Sequence, residues 1–180
     1  MHGLIFEEIK RYAEDRLGPG GWTTLVERAG LRGKAYDQLQ AYPDADAVQL
    51  VTAATQITGL PPAAVLEDFG EFVAPDLLRL SAPLVNGAWK TLDLLENTEA
   101  TIHRVVRLDN PGADPPALHV TRTGPRGVVI VYSSPRKMCA LAKGICKGVA
   151  KHYQEAITIA ESRCMRRGEQ ECHIEVQLHT

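Results

Sequence analysis

The chain has 180 residues, four cysteines and a formal net charge of −2. Hydrophobic residues make up 44% of it and charged residues 23%. This composition is ordinary for a globular protein, and it excludes a disordered tail, a collagen-like fibre and a strongly basic nucleic-acid binder. The apolar runs fall far short of the roughly 20 residues that span a bilayer, so we expect no membrane insertion.

The N-terminal sequence MHGLIFEEIKR has a short apolar patch that is followed by acids. A secretory signal needs a basic start and a longer apolar run, so we expect no export signal and a cytoplasmic protein. In that compartment the four cysteines are expected to be reduced thiols or metal ligands rather than disulfides.

Helical periodicity dominates the first part of the chain. The apolar spacing predicts helices over residues 4–17, 22–29, 44–58, 61–69 and 89–106. Gly18 and Gly59 end the first and third of these helices. Asp44 or Asp46 suits the N-cap of the third helix. A short turn over 76–80 is predicted between the last two.

The pattern changes at Asn110-Pro111-Gly112 and Pro115-Pro116, which are turn signals. Beyond them the sequence predicts strands over 118–122, 128–133, 157–163 and 172–178, and a helix over 138–153. We therefore expect one α+β domain over residues 1–180. Its helical half (1–110) packs on a second half (111–180), which is a four-stranded antiparallel sheet crossed by one helix.

The second strand ends in the segment Tyr132-Ser133-Ser134-Pro135-Arg136. Alternate residues of an extended chain face the same side, so Tyr132, Ser134 and Arg136 would present two hydroxyls and a guanidinium together. Such a set suits a carboxylate or a phosphate, because arginine donates hydrogen bonds in a planar fork. The alternative is a polar strand end at the surface with no ligand.

His103 lies in the otherwise apolar helical segment 101–106. An imidazole in such surroundings is either a metal ligand or a histidine at the edge of the core with a local hydrogen bond. The other five histidines have no better context.

Three cysteines are predicted to meet at one place. Cys164 and Cys172 flank the turn between the last two strands, and Cys139 begins the crossing helix. Three thiolates and one nitrogen or oxygen ligand form a tetrahedral zinc site. The alternative is a group of free buried thiols that behave as small hydrophobic side chains. Cys146 is a fourth thiol on the same helix.

Lys143, Lys147 and Lys151 recur at intervals of four residues and form one stripe on the crossing helix. The stripe is either a solvated face or a docking site for an acidic partner. The sequence has no Gly-rich phosphate loop, no G-x-S-x-G and no H-E-x-x-H, so nothing in it predicts an enzyme.

Taken together, these features resemble the haem–nitric oxide/oxygen-binding (H-NOX) family, which is related to the sensor domain of soluble guanylate cyclase. The resemblance rests on the Y-x-S-x-R motif with a histidine about thirty residues upstream. It extends to the segments MHGLIF, YPD, LEDFGEF and CMRRG, and so runs through essentially the whole chain.

The resemblance implies a b-type haem that is held between the two halves of the domain. His103 corresponds to the residue that binds the iron. Tyr132, Ser134 and Arg136 correspond to the groups that bind the haem propionates, which agrees with the carboxylate-binding set above.

The resemblance also implies three contacts with the haem faces. Pro116 resembles a proline that packs on the haem and helps to bend it, and Ile5 resembles an apolar residue on the other face. Leu141 stands where oxygen-binding members carry a tyrosine. Polar donors there stabilise bound oxygen, and an apolar pocket does not. We therefore expect NO and CO to bind ferrous haem without a stable oxygen complex.

Some bacterial members of the family also bind zinc through three cysteines and a histidine. Cys139, Cys164 and Cys172 match the cysteines, but Glu161 stands in the place of the histidine. The resemblance therefore implies a zinc site with Glu161 or His173 as fourth ligand, because carboxylates also bind zinc.

The resemblance implies a sensor rather than an enzyme. In such a sensor NO binds the iron, the bond to His103 breaks, and the helices shift against the sheet half. The changed surface acts on a separate histidine kinase, cyclic-dinucleotide enzyme or chemotaxis protein. The alternative is a redox sensor in which cysteines or zinc carry the signal and haem is secondary.

Overall fold

The chain folds as an α+β structure, described here for residues 1–109 and 112–179 of a computed structural model. Its α-helices are α1 (Gly3–Leu17), α2 (Gly21–Arg28), α3 (Asp44–Thr58), α4 (Pro62–Ser81), α5 (Thr91–Asn97), α6 (Arg104–Asp109) and α7 (Cys139–His152). Its strands are β1 (Ala117–Gly124), β2 (Gly127–Ser133), β3 (Ile157–Arg163) and β4 (Cys172–Leu178). The predicted fold class is confirmed.

The four strands form one antiparallel sheet in the order β1-β2-β4-β3. Alternation along β2 buries Val128, Ile130 and Tyr132 on one face of this sheet. In the register, Tyr132 lies opposite Leu118 of β1 and opposite Cys172 of β4. The end of β2 is therefore paired with a neighbouring strand on each side.

Two apolar cores lie on either side of α7. One core fills the space between the N-terminal helices and includes Met138 and Ala140. The other lies against the sheet and includes Cys139 and Cys146. A helix that serves both cores must be apolar over most of its circumference, which explains the many alanine, glycine and cysteine residues in α7.

Helices α4 and α7 approach each other at backbone distance. A Cβ atom on Gly144 would lie 2.0 Å from the carbonyl oxygen of Glu67, and a Cβ atom on Gly70 would lie 2.4 Å from that of Leu141. Only glycine permits such an approach, because any side chain would fill the space that the other backbone occupies. The contact joins the helical part of the fold to α7.

Two helix ends follow the predicted glycine signals, whereas the predicted N-cap of the third helix is wrong. α1 ends before Gly18 and α3 before Gly59, and both glycines have positive φ angles. Asp44 or Asp46 was expected as an N-cap, but both lie within the first turn of α3, which begins after Pro43. The carboxylate of Asp44 binds groups from other parts of the chain, as described below.

The predicted turn over 76–80 is wrong, because α4 continues through Pro75 to Ser81. A proline inside a helix costs about 3 kcal/mol. Val73 and Ala74 are fully buried at this point of the helix, and their packing outweighs the local signal.

The predicted helix over 89–106 is divided into three parts: α5, a π-helical turn over Glu99–His103, and α6. The amide of His103 bonds to the carbonyl of Thr98, five residues back. Turns of this kind widen a helix at a single place and are frequent at functional sites.

Two residues of the predicted boundary, Asn110 and Pro111, lie outside the described residues. Of the helices that the structure describes, none combines the length and the apolar character that crossing a bilayer requires.

Candidate functional site

His103 ends the π-helical turn, and its side chain is only 15% exposed. Its Nδ1 atom lies 3.0 Å from Oε2 of Glu99. A carboxylate can only accept, so Nδ1 donates and the lone pair of Nε2 stays available for a metal. Burial lowers the pKa of His103 against the opposing effect of Glu99. The imidazole is therefore neutral near pH 7, which is the form that binds metals.

Pro116 precedes β1 and lies on the same side of the fold as His103. Its carbonyl oxygen faces the His103 imidazole and raises the pKa of that ring. The same carbonyl accepts a hydrogen bond of 3.4 Å from Arg107. The structure therefore brings the carbonyl group of Pro116 to the imidazole of His103.

Tyr132 and Ser134 are both buried at the end of β2, with 3% and 2% exposure. Burial raises the pKa of Tyr132, so its hydroxyl stays protonated and can donate. The chain is not extended through Arg136, because the amide of Lys137 bonds to the carbonyl of Ser134 and closes a turn. The predicted alternation therefore holds for Tyr132 and Ser134 but does not explain the position of Arg136.

Arg136 is nevertheless directed into the fold, and its side chain is 11% exposed. Its guanidinium lies 3.2 Å from Oδ2 of Asp44 and also bonds to the carbonyl oxygen of Asp114. Oδ1 of Asp44 accepts a hydrogen bond of 2.8 Å from the amino group of Met1. Arg136 thus stands between the start of α3 and the loop that leads to Pro116.

These contacts define what the site can bind. The buried hydroxyls of Tyr132 and Ser134, the guanidinium of Arg136 and the amino group that meets it at Asp44 are the donors of this region, here called the cradle, and donors of this kind suit carboxylates. The carboxylate of Asp44 already shows this preference by bonding to both cations. The donor set at Tyr132, Ser134 and Arg136 therefore fits the carboxylate groups of a haem.

An apolar cavity lies among the N-terminal helices, and Met1 is one of the residues that line it. Ile5, Met138 and Leu141 line it, together with other residues of α1, α3 and α4. Neither His103 nor Pro116, both within the described part of the chain, lines this cavity. Leu141 and Ile5 therefore face one space, and His103 belongs to another part of the site.

Sequence reasoning missed three polar residues that line the cavity, namely Tyr12, Arg16 and Thr58. The hydroxyl of Tyr12 donates to Asp68 at 2.6 Å, and Arg16 also binds Asp68. The hydroxyl of Thr58 donates to the carbonyl of Ala54. These three side chains therefore donate hydrogen bonds to other protein atoms and not into the cavity.

A second cluster contains the thiols of Cys139, Cys164 and Cys172 and the carboxylate of Glu161. One ligand atom from each of the four lies within 4.8 Å of all the others. The sulfur atoms of Cys139 and Cys164 are 3.7 Å apart, and Cys172 accepts a hydrogen bond from the amide of Met165. Three sulfurs and one oxygen at these distances could surround a metal ion.

Glu161 is unusual within this cluster. Its Oε1 atom is buried and has no hydrogen-bond partner, whereas Oε2 faces the ammonium group of Lys143 at 3.6 Å and Arg167 at 3.7 Å. A buried carboxylate oxygen without a partner is costly unless a cation or a donor satisfies it. A metal ion bound by the thiols would satisfy this atom.

His173, the other proposed fourth ligand, is not part of the cluster. It follows Cys172 on β4 and therefore faces the opposite side of the sheet. Its ring binds Glu171 at 2.8 Å. Cys146 also lies outside the cluster, and burial raises its pKa to about 12.

The lysine stripe of α7 is paired with acids of this chain. Lys147 binds Glu67, Lys151 lies 3.3 Å from Glu71, and Lys143 faces Glu161, as described above. Two of these pairs connect α7 to α4, beside the glycine contact. Two of the three lysines therefore form ion pairs between α7 and α4, while the side chains of Lys147 and Lys151 remain 45% and 78% exposed.

Comparisons with known proteins bear on this arrangement. A family model described as Haem-NO-binding matches residues 2–161. No curated protein matches the chain significantly.

Solved structures of H-NOX proteins have the same fold. One from S. oneidensis, in the Fe(II)NO ligation state, has a TM-score of 0.93 and 24% identity, with 100% of both chains covered. An unliganded Fe(II) protein from K. algicida has a TM-score of 0.87 and 19% identity, with 100% of this chain and 97% of that one covered. A mutant from T. tengcongensis has a TM-score of 0.85 and 16% identity, with 100% and 98% covered.

Proposed function

The chain belongs to the haem–NO-binding (H-NOX) family of haem-based gas sensors, and we propose that it senses NO. NO and CO bind at a ferrous b-type haem, no stable oxygen complex forms, and the signal passes to a separate partner. The bond between His103 Nδ1 and Glu99 carries this proposal, because it leaves Nε2 of a buried, neutral imidazole for the iron. When bound, the haem supplies an iron atom that binds diatomic gases.

Tyr132, Ser134 and Arg136 hold the haem propionates in this proposal. Two buried hydroxyls and a buried guanidinium support it, because they would donate hydrogen bonds to carboxylates away from competing water. Asp44 now bonds to Arg136 and to the amino group of Met1. A haem propionate at this place would share Arg136 and the amino group of Met1 with Asp44, or would displace the Asp44 carboxylate from them.

Ile5 and Leu141 exclude a stable oxygen complex. Both are apolar, and they face a cavity whose polar neighbours Tyr12 and Thr58 donate their hydroxyl protons to other protein atoms. Bound oxygen needs a donor, whereas NO does not depend on one. The cavity therefore favours NO and CO.

His103 transmits the signal in this proposal. His103 would hold the iron and would be released on NO binding, and the π-helical turn that carries it would then move relative to Pro116 and β1. Arg136 contacts both Asp114, in the loop before Pro116, and Asp44, at the start of α3. A shift of that loop would therefore reach the N-terminal helices.

The partner would be a histidine kinase, a cyclic-dinucleotide enzyme or a chemotaxis protein, as the family resemblance implies. Such signalling requires a partner with different affinities for the two states of the sensor.

The visible absorption spectrum of reduced protein tests the proposal, recorded before and after anaerobic addition of NO and then in air. We expect a haem band that shifts with NO and is unaffected by oxygen. His103→Gly should remove the protein ligand to the iron, and His119→Gly, on an exposed position of β1, should not. A chain that binds no haem even after reconstitution with hemin, or a stable oxygen complex, would overturn the proposal.

We further propose that Cys139, Cys164, Cys172 and Glu161 bind zinc. The partnerless buried oxygen of Glu161 supports this site, because a metal ion at the thiols would give it a ligand role. Metal analysis of protein produced without added zinc tests it. Glu161→Gln should reduce the zinc content, whereas Glu171→Gln, outside the cluster, should not. Wild-type protein without zinc would overturn the site.

The redox sensor remains the second candidate function, and the 3.7 Å separation of the Cys139 and Cys164 sulfurs favours it. Two thiols this close can form a disulfide after a small movement when an external oxidant takes up the two electrons and two protons that they lose. Under this alternative, Cys172→Ser should abolish signalling to the partner and leave the haem spectra unchanged. Under the first proposal, His103→Gly should abolish the NO response while the cysteines stay intact.

A further inference from the structure

The carboxylate of Glu99 accepts three hydrogen bonds beside His103. Its Oε1 atom accepts a hydrogen bond of 2.7 Å from Arg107. Its Oε2 atom accepts from Nδ1 of His103 at 3.0 Å and from the backbone amide of Leu118 at 3.1 Å. Three donors from three parts of the chain thus fix the plane of this carboxylate.

These contacts keep Glu99 ionised. The guanidinium of Arg107 lies 2.7 Å from one carboxylate oxygen, and the N–H groups of His103 and Leu118 donate to the other, so each of these three neighbours favours the charged form of the carboxylate. An ionised carboxylate is the strongest acceptor that a neutral imidazole can have.

We propose that Glu99 is the positioning residue for His103: its fixed carboxylate sets the tautomer and orientation of the imidazole and determines how firmly Nε2 holds a metal. The proposal rests on the proposed iron ligation by His103. A carboxylate that accepts from a ligating histidine increases the basicity of the ring and strengthens the bond to the metal. Glu99 therefore opposes the release of His103.

Arg107 acts in the opposite direction. Its guanidinium binds the other oxygen of Glu99 and withdraws negative charge from the carboxylate. Removal of this cation leaves the contact between Glu99 and His103 in place and makes the carboxylate a better acceptor. The strength with which His103 would hold the iron would thus depend on Glu99 and Arg107 in opposite directions.

The hydrogen bond from the amide of Leu118 also connects Glu99 to the first strand. Leu118 lies in β1, two residues after Pro116, so the carboxylate connects the π-helical turn to the first strand. His103 can leave a metal while this connection persists. Movement of the turn would then displace the start of β1 as well.

The test compares Glu99→Gln and Arg107→Gln with Glu96→Gln as the control, because Glu96 binds Arg122 and not His103. Glutamine keeps the shape and an acceptor oxygen but loses the charge. The iron–histidine stretching frequency, from resonance Raman spectra of the reduced unliganded protein, is the main readout. Glu99→Gln should lower it and Arg107→Gln should raise it, while Glu96→Gln leaves it unchanged. A purely structural role would not give shifts of opposite sign.

Release of His103 by NO gives a second readout. Its rate should rise roughly tenfold in Glu99→Gln, in line with the usual effect of removing a partner of a metal ligand. A third readout needs no haem, since ¹⁵N NMR of the haem-free wild type should show the proton of His103 on Nδ1.

An unchanged stretching frequency in both variants would overturn this proposal and leave the haem sensor intact. A wild-type chain without haem would overturn the proposed function itself. If Glu99→Gln does not fold, Arg107→Gln alone decides: an unchanged or lowered frequency contradicts the proposal.

Discussion

The guanidinium of Arg136 lies 3.2 Å from the carboxylate of Asp44, although 92 residues separate them in the chain. Asp44 also binds the amino group of Met1. Asp44, in the first turn of α3, thus contacts both the N-terminal residue of the chain and the segment that follows β2. This ion pair occupies the cradle that we propose for the haem propionates, so it is important above all for the haem-free protein.

The pair makes the stability of the haem-free protein depend on pH. Burial raises the pKa of Asp44, but the hydrogen bonds from Met1 and Arg136 outweigh this effect, and its pKa lies below the ordinary value. Its stabilising contribution is therefore complete above the ordinary pKa and is lost as the pH falls through the folded-state value. Asp44→Asn should reduce the unfolding free energy by about 1 kcal/mol at pH 7, because Asp44 is partly exposed.

Urea unfolding at pH 7 and at pH 3 checks this prediction in haem-free protein. The difference between wild type and Asp44→Asn should be smaller at the lower pH, because below the ordinary carboxyl pKa the unfolded chain takes up a proton at Asp44 and the stabilising contribution of the folded carboxylate falls. Glu169→Gln, an exposed position after β3, is the matched control. A difference that stays constant with pH would contradict the role of the ion pair.

Two adjacent serines allow a sharp test of the propionate cradle. Ser134 is buried, whereas Ser133 is exposed at the end of β2. A hydrogen bond to a charged group contributes about 1.5 kcal/mol or more, so Ser134→Ala should weaken haem binding roughly tenfold. Ser133→Ala should have no effect. The rate of haem transfer to an excess of apomyoglobin measures both, and equal rates in the two variants would argue against Ser134.

The oxygen prediction depends on the identity of residue 141. Leu141→Tyr adds a hydroxyl to an apolar cavity, and we expect a reduced protein that holds oxygen in air for minutes. Tyr12→Phe removes a hydroxyl that already donates to Asp68, so ligand selectivity should not change. Visible spectra in air distinguish the variants. If Leu141→Tyr also forms no stable oxygen complex, the identity of residue 141 does not explain why oxygen is excluded.

Much of the fold follows from local patterns. The bounds predicted for the last two strands, 157–163 and 172–178, match β3 and β4 because alternation in a half-buried strand has a period of two. The extent of α4 could not be predicted in the same way. Pro75 is a strong local stop signal, and only tertiary packing of Val73 and Ala74 overrides it.

The site is predictable in its residue types but not in its contacts. The resemblance to the family singled out His103 and Arg136, yet their partners are set by the fold. The π-helical turn leaves no periodic signal over five residues, and Asp44 was expected only as a helix cap. Tyr12 was missed because its partner Asp68 lies 56 residues away.

The contact between α4 and α7 offers a test of how the helical part is joined to the sheet. A Cβ atom on Gly144 would lie 2.0 Å from the carbonyl oxygen of Glu67 and 2.9 Å from Cα of Gly70. Neither is the end of a flexible side chain, so the two helices must separate. Such overpacking costs typically 1–3 kcal/mol, and Gly144→Ala should therefore unfold at a temperature several degrees lower.

Gly87→Ala is the matched control, because a Cβ atom on Gly87 meets nothing within 4 Å. Thermal unfolding of the haem-free forms of both variants, followed by circular dichroism, separates the packing effect from the loss of a glycine. If Gly144→Ala unfolds at the same temperature as Gly87→Ala, the helices can separate at little cost. The close packing of α4 against α7 would then not be what holds the helical part to the sheet, and the lysine–glutamate pairs beside it would have to carry that connection.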